Sequence, residues 1–420
     1  MNPRNRWPHE KRNMLAGVWH GTFVKFGTAF SQENSVLPSF IYSLTGSQLL
    51  VGLLSTIQRI GVVVPQIFLA HFLSRRPCKK KYLVFAIFTR ASVWFFMGLA
   101  VWFLADTAPE LTTFLAFVLL TAFFAAGSLG QLVYSYLLSS TVSPPRRGRF
   151  FGWINLTGGL AGIAAGYLSR GILATADNGT LHTYGILFLV TATGLAVAGL
   201  GFIFMKEQRP ENFKPAPAFR AYFKDALKVV GHNLLFRHVL VVSVLNASVF
   251  LILPFFVVLA RQQLHVRDAD IGFFVMMQVG GEMAGGMMWG AVADRYGYRK
   301  VLMGVATVYT VLPLYAMLSA IYFPSVYMLT FLLLGSALKS AENGVRNYLL
   351  EMTDSQMVPT LIALKNTLSA PTLFYPFLGG ALLSTYAYFT IFPIVALLSF
   401  AGLVLARRLP EPRAMHTSTA

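Results

Sequence analysis

Gly290-Ala291-Val292-Ala293-Asp294-Arg295-Tyr296-Gly297-Tyr298-Arg299-Lys300 joins two apolar runs, at 271–289 and 301–322. Each run is long enough to cross a hydrocarbon layer as a helix, which takes about 20 residues. A short, charged turn containing glycine between two such runs is the join of a transmembrane hairpin. Gly290 permits close helix approach, Gly297 permits a tight turn, and Asp294 can accept hydrogen bonds or pair with a cation near a helix end.

Composition extends the reading from the hairpin to the whole chain. Of 420 residues, 55% are hydrophobic and only 12% charged, a balance too apolar for a soluble globular protein. The formal charge of +18 would suggest nucleic acid in a soluble chain, but the basic residues gather in turns. Arg75, Arg76, Lys79, Lys80 and Lys81 lie in one, Arg146, Arg147 and Arg149 in another, and Arg295, Arg299 and Lys300 in a third. The alternate turns carry Asp106, Glu110 and Asp177. This positive-inside bias puts both termini in the cytoplasm and implies membrane lipids, not nucleic acid, as the partners of the basic flanks. The turn around Glu351 and Asp354 is the exception, being assigned inside without Lys or Arg.

The spacing predicts an all-α polytopic membrane protein with twelve spans, near 14–42, 48–73, 82–105, 110–138, 150–171, 184–205, 235–260, 269–293, 301–322, 325–350, 360–385 and 388–406. The basic start leads into an uncleaved first span, not a removed signal peptide. Residues 1–205 form one six-helix half and residues 235–420 the other, with a cytoplasmic tail. The connection 206–234 is polar. In it Phe219, Tyr222, Phe223, Ala226 and Val230 recur at helical spacing opposite Arg220, Lys224 and Lys228, which predicts a short amphipathic helix on the cytoplasmic leaflet or packed against the bundles. A displacement of 220 residues carries Gly52, Gln58 and Gly61 onto Gly272, Gln278 and Gly281, and Arg75, Lys79 and Lys80 onto Arg295, Arg299 and Lys300. That coincidence reads as an internal duplication.

The spacing of Gly290, Asp294, Arg295, Gly297, Arg299 and Lys300 resembles the signature loop of the major facilitator superfamily of secondary transporters. The resemblance implies two pseudo-symmetric six-helix bundles that rock around a central site, with this loop helping to form the cytoplasmic gate. It also implies that the third, sixth, ninth and twelfth spans flank the bundles. The first-half copy reads Ala70, Ser74, Arg75, Pro77, Lys79 and Lys80, without the Asp or the two Gly, which suggests an asymmetric gate or a first-half contact made by other residues.

Charges inside spans are costly in hydrocarbon and so point to function. Glu282 lies midway along the eighth span with Gln278 on the same face and Gly281, Gly285 and Gly286 nearby. Its readings are a proton-coupling carboxylate, a static ion pair or a substrate contact. Glu33, inside the polar run Ser31-Gln32-Glu33-Asn34-Ser35 and shortly before Pro38, is the second coupling candidate or a local polar cluster. Lys25, Gln58, Arg59, Gln278 and Lys339 are the substrate-binding candidates. Lys339, Glu342 and Arg346 can form a charge ladder along one helix face. Lys25, Arg59, Lys339 and Arg346 against Glu33, Glu282 and Glu342 leave a small positive excess, which favours an anionic or zwitterionic solute. Span three carries only Arg90.

No enzyme constellation competes with transport. Cys78 is the lone cysteine, and neither a metal cluster nor a nucleotide-binding loop appears, so no cofactor is expected. The expected activity is proton-coupled transport of a small solute by a functional monomer in a bacterial cytoplasmic (inner) membrane. The alternatives are an uncoupled facilitator or lipid or drug carrier, and a non-transporting receptor or scaffold.

Overall fold

The computed structural model describes residues 9–175, 181–207, 233–353 and 357–413. The amphipathic helix expected at 218–230 lies outside them. The described elements are helical: α1 Glu10–Ala29, α2 Val36–Thr45, α3 Gln48–Ser74, α4 Lys80–Leu104, α5 Pro109–Thr141, α6 Pro144–Ala174 and α7 His182–Phe204. They continue with α8 Leu234–Asn246, α9 Phe255–Leu264, α10 Asp268–Tyr296, α11 Tyr298–Tyr322, α12 Leu329–Met352, α13 Val358–Leu368, α14 Tyr375–Thr385 and α15 Tyr388–Ala406.

The distribution of side chains is that of a protein solvated by lipid. Leu15, Phe68, Phe103, Met287 and Leu397 stand on the surface, while Ser39, Ser128, Ser169, Thr330 and Ser399 are buried. Apolar exposure on this scale marks a membrane-facing surface. Many hydroxyls are satisfied within their own helix: Thr121, Ser169 and Thr191 donate to the carbonyls of Phe117, Ala165 and Leu187. No water is needed for them, as a membrane interior requires.

Among the described residues, seven helical stretches are long and apolar enough to cross a membrane by length and composition: Gln48–Gln66, Lys80–Leu104, Pro109–Leu138, His182–Phe204, Leu234–Leu264, Tyr298–Tyr322 and Tyr388–Ala406. The other expected spans are helical but carry charges or breaks. The expected first span is two helices, because α1 ends at Ala29 and α2 begins at Val36. The polar run between them offers the backbone competing partners, and Pro38 supplies no N–H to a continuous ladder. The seventh is also interrupted: α8 passes into a 3₁₀ turn at Ala247–Leu251, and α9 starts after Pro254. A displacement of 220 carries Phe30 onto Phe250, so both breaks fall at one place in the repeat. The eleventh divides into α13, a 3₁₀ turn at Ala370–Phe374 and α14, where Pro371 and Pro376 lack the N–H groups that a single helix would use.

The chain divides into two compact units. The first comprises Met1–Gly46, Ile57–Pro217 and Arg267–Met276; the second comprises Ser47–Thr56, Ala218–Val266 and Met277–Ala420. Each therefore takes a short segment from the other half of the sequence. Within the first, α7 packs on α1 and α4, and α4 on α5; within the second, α15 packs on α8 and α11, and α11 on α12. The packing order repeats, in agreement with the duplication. The borrowed segments are held by glycine. In the first unit a Cβ at Gly272 would lie 2.5 Å from the Arg170 nitrogen. In the second, Gly52 meets the Pro376 carbonyl, and a Cβ at Gly380 would lie 2.6 Å from the Gln48 carbonyl. Backbones this close exclude a larger residue.

Candidate functional site

In the second unit, α10 and α12 touch backbone to backbone. Gly281 and Gly285 lie on the carbonyls of Leu332 and Ser336, and Gly335 lies on the Gln278 carbonyl. Trp289 Nε1 donates to the Ser336 carbonyl at 3.0 Å. Against this seam Lys339 Nζ reaches Glu282 Oε2, forming an ion pair in which the carboxylate is mostly buried and the ammonium mostly exposed. Gln278 is buried one turn away, and among the described residues its Oε1 has no hydrogen-bond partner. The sequence-predicted residues Glu282, Gln278 and Lys339 thus come together. Glu342 and Arg346 are exposed, and Lys339 is held across helices instead of along its own. The ladder expected along α12 does not form ion pairs among the described residues, because the glycine seam brings Glu282 nearer to Lys339 than Glu342 is.

The loop that opened the reading joins α10 to α11. Gly297 has φ +82° and ψ 171°, a conformation almost restricted to glycine, and it abuts the carboxylate of Glu411. Glu411 accepts the Arg299 backbone N–H, so it caps the start of α11. Burial raises the Glu411 carboxyl above its usual range, the neighbouring charge of Glu351 adds to that, and the Arg299 N–H and Arg413 oppose it. Arg413 pairs with Glu351 at 2.9 Å and donates to the Asp294 carbonyl at 3.2 Å. Arg299 donates to the Arg407 carbonyl, and Tyr348 to that of Pro410 at 2.7 Å. Asp294, Arg295 and Lys300 are exposed and Gly290 lies in open space. The missing positive charge of the Glu351 turn is therefore supplied by Arg413, far along the sequence.

The first unit repeats the cap. Glu207 accepts from the backbone N–H groups of Lys79 at 2.7 Å and Lys80 at 2.9 Å, at the start of α4. Lys79 is the residue that displacement places on Arg299. Sequence reasoning missed both glutamates: each stands just beyond the last helix of its half, where a charge reads as a topology signal.

Also in the first unit, Lys25 Nζ donates to Asn155 Oδ1 at 3.1 Å and its stem lies on Gly158. Thr22 and Thr157 share a 2.6 Å hydrogen bond beside it. Gln58 is buried and its Nε2 has no partner among the described residues; Arg59 beside it is half-buried. Glu33 sits exposed in the break between α1 and α2, and its charge acts on Arg90 of α4. Arg90, read from the sequence as part of a flanking span, is the basic residue that reasoning undervalued. Among the described residues, no group of three or more His, Cys, Asp or Glu could hold a metal.

The sequence profile of the Major Facilitator Superfamily matches residues 21–261 and 239–420. The chain belongs to the major facilitator superfamily. As a member of a transport family, it is a secondary transporter in general class and not an enzyme. No curated protein matches it by sequence. Solved structures of similar fold include the nucleoside transporter NupG, at 13% identity and TM-score 0.67 over 94% of this chain and 98% of that one. A bacterial metal transporter is similar at 14% identity and TM-score 0.65, over 96% and 99%. A D-xylose–proton symporter is similar at 14% and 0.62, over 96% and 98%. At these identities the likeness concerns the superfamily fold alone.

Proposed function

We propose that this superfamily member moves a small anionic or zwitterionic solute by alternating access, coupled to protons through Glu282. The observation that carries the reading is the Glu282–Lys339 ion pair on the glycine seam of α10 and α12. A carboxylate in an apolar setting that loses its cation binds a proton more readily. A solute anion that draws Lys339 away would therefore favour proton uptake by Glu282, and solute release would restore the pair. That the fold accommodates proton-linked transport is supported by the symporter of similar structure. Gln278, Gln58, Arg59 and Lys25 serve as solute contacts, and Glu33 is the second carboxylate of the coupling path.

The same reading has twelve crossings in two six-helix halves, 1–205 and 235–420, with 206–234 as the cytoplasmic linker. The repeated helix breaks and repeated glutamate caps support the halves. Both termini are cytoplasmic, the membrane is a bacterial inner membrane, and the monomer is the working unit. The loop from Gly290 to Lys300 acts in the cytoplasmic gate.

The test is uptake of a solute panel by the purified protein in liposomes, with and without an inward proton gradient, in wild type and Glu282→Gln. The proposal expects gradient-driven accumulation in wild type and its loss in the variant, with solute counterflow retained. Equal accumulation in both proteins would overturn the role of Glu282.

A further inference from the structure

The first unit contains a cavity of about 150 Å³ among α1, α4, α5 and α7, apart from the residues used above for coupling. Its polar lining is His20, Arg90, Gln131 and Tyr134. From these walls the geometry points to a binding site for a small organic carboxylate with an apolar, ring-sized body, its carboxylate on Arg90.

The guanidinium is the centre of the argument. Arg90 comes from the middle of α4, where an uncompensated charge is costly. Its Nε is buried, with no hydrogen-bond partner among the described residues. The Phe123 ring lies 4.4 Å from the guanidinium carbon, and Glu33 acts on it as a neighbouring charge. A cation–π contact and one carboxylate leave the planar donor fork able to take a second carboxylate, which arginine binds in two-point fashion. Gly127 keeps one side of it uncovered, because a Cβ there would stand 3.7 Å from Nε.

Two of the remaining polar walls, Gln131 and Tyr134, can donate to a carboxylate. Gln131 Oε1 accepts from Gln66 at 2.9 Å, which leaves the Gln131 amide NH₂ as a donor. Tyr134 contributes a hydroxyl. His20 is fixed by its Nδ1 contact to the Ala198 carbonyl at 3.1 Å and by stacking on Phe202, with ring centroids 3.6 Å apart. With Nδ1 carrying the hydrogen, Nε2 is an acceptor and the ring is an apolar face. Phe202 completes the apolar wall. A volume near 150 Å³ is the size that accommodates a benzene ring in an engineered protein cavity. One arginine shared with a glutamate suits a monoanion better than a phosphate dianion, which would call for further positive charge.

The site does not depend on the proton-coupling proposal, since binding needs no gradient and no Glu282. The experiment is calorimetric titration of benzoate into the purified full chain in detergent, with benzyl alcohol as the uncharged control. Saturable benzoate binding is expected, weakened about tenfold or more by Arg90→Gln, the worth of one charge-assisted hydrogen bond. Gly127→Val should weaken it as well, while leaving the arginine and its glutamate in place, and it keeps the test open should Arg90→Gln fold poorly. Benzyl alcohol should bind weakly, and equally to wild type and Arg90→Gln. Absence of saturable benzoate binding in wild type, or equal affinity in wild type and Gly127→Val, would overturn the site. Loss of gradient-driven uptake in Glu282→Gln would leave these outcomes unaffected.

Discussion

Gly297 and Glu411 show how much rests on single residues at the cytoplasmic end of the second unit. The backbone at Gly297 is close to glycine-only, and the Glu411 carboxylate occupies the space a Cβ would need. Gly297→Ala should therefore cost about 1–3 kcal/mol, read as a lower melting temperature in detergent. Combining it with Glu411→Ala should give less than the sum of the two losses, because the collision disappears while the backbone strain stays. The glycine was legible from the loop pattern alone. The glutamate was not, since a charge beyond the last span reads as a topology signal and nothing local ties it to residue 297. The same limit applied to Lys339. Helical spacing offered it Glu342, while its partner Glu282 lies on another helix, and only the packing of three glycines brings them together.

At the scale of helices, close approach and capping decide what each element tolerates. A Cβ at Gly335 would collide with the Gln278 carbonyl, which is backbone and cannot move aside, whereas at Gly158 it would meet the flexible stem of Lys25. Gly335→Ala should cost about 1–3 kcal/mol and abolish uptake by separating α10 from α12, while Gly158→Ala should cost less stability because the Lys25 stem can shift; parallel melts and flux assays check both. Glu10 caps α6 by accepting the Ser143 N–H at 2.8 Å and pairing with Arg146 at 2.8 Å. Burial pushes its carboxyl upward, but the Ser143 hydrogen bonds and the Arg146 charge outweigh it and hold the carboxyl below 4.5. Its stabilisation is therefore present above about pH 4.5 and lost as pH falls through the lowered folded value. Glu10→Gln should flatten that part of the melting-temperature profile. The polar run that interrupts the first span was legible. The break at Ala247–Leu251 lies in apolar sequence, where periodicity gives no warning.

For the whole molecule, hydropathy and the signature loop made the superfamily legible, and the profile match and solved structures of similar fold agree. The residues that face a solute were less so, because their depth and partners depend on contacts far apart in sequence. The orientation has a direct check in the single native cysteine, which is partly exposed. A membrane-impermeant maleimide should label Cys78 in inverted vesicles and not in intact cells, and Asp106→Cys in a Cys78→Ser background should show the opposite pattern. Labelling of Cys78 from outside intact cells would reverse the topology. The most direct test of coupled transport is the proton movement itself, recorded with a pH-sensitive dye inside liposomes when a transported solute is added outside. The account predicts a solute-dependent change in internal pH with wild type and none with Glu282→Gln. Solute entry without proton movement in wild type, or the same movement in the variant, would contradict it.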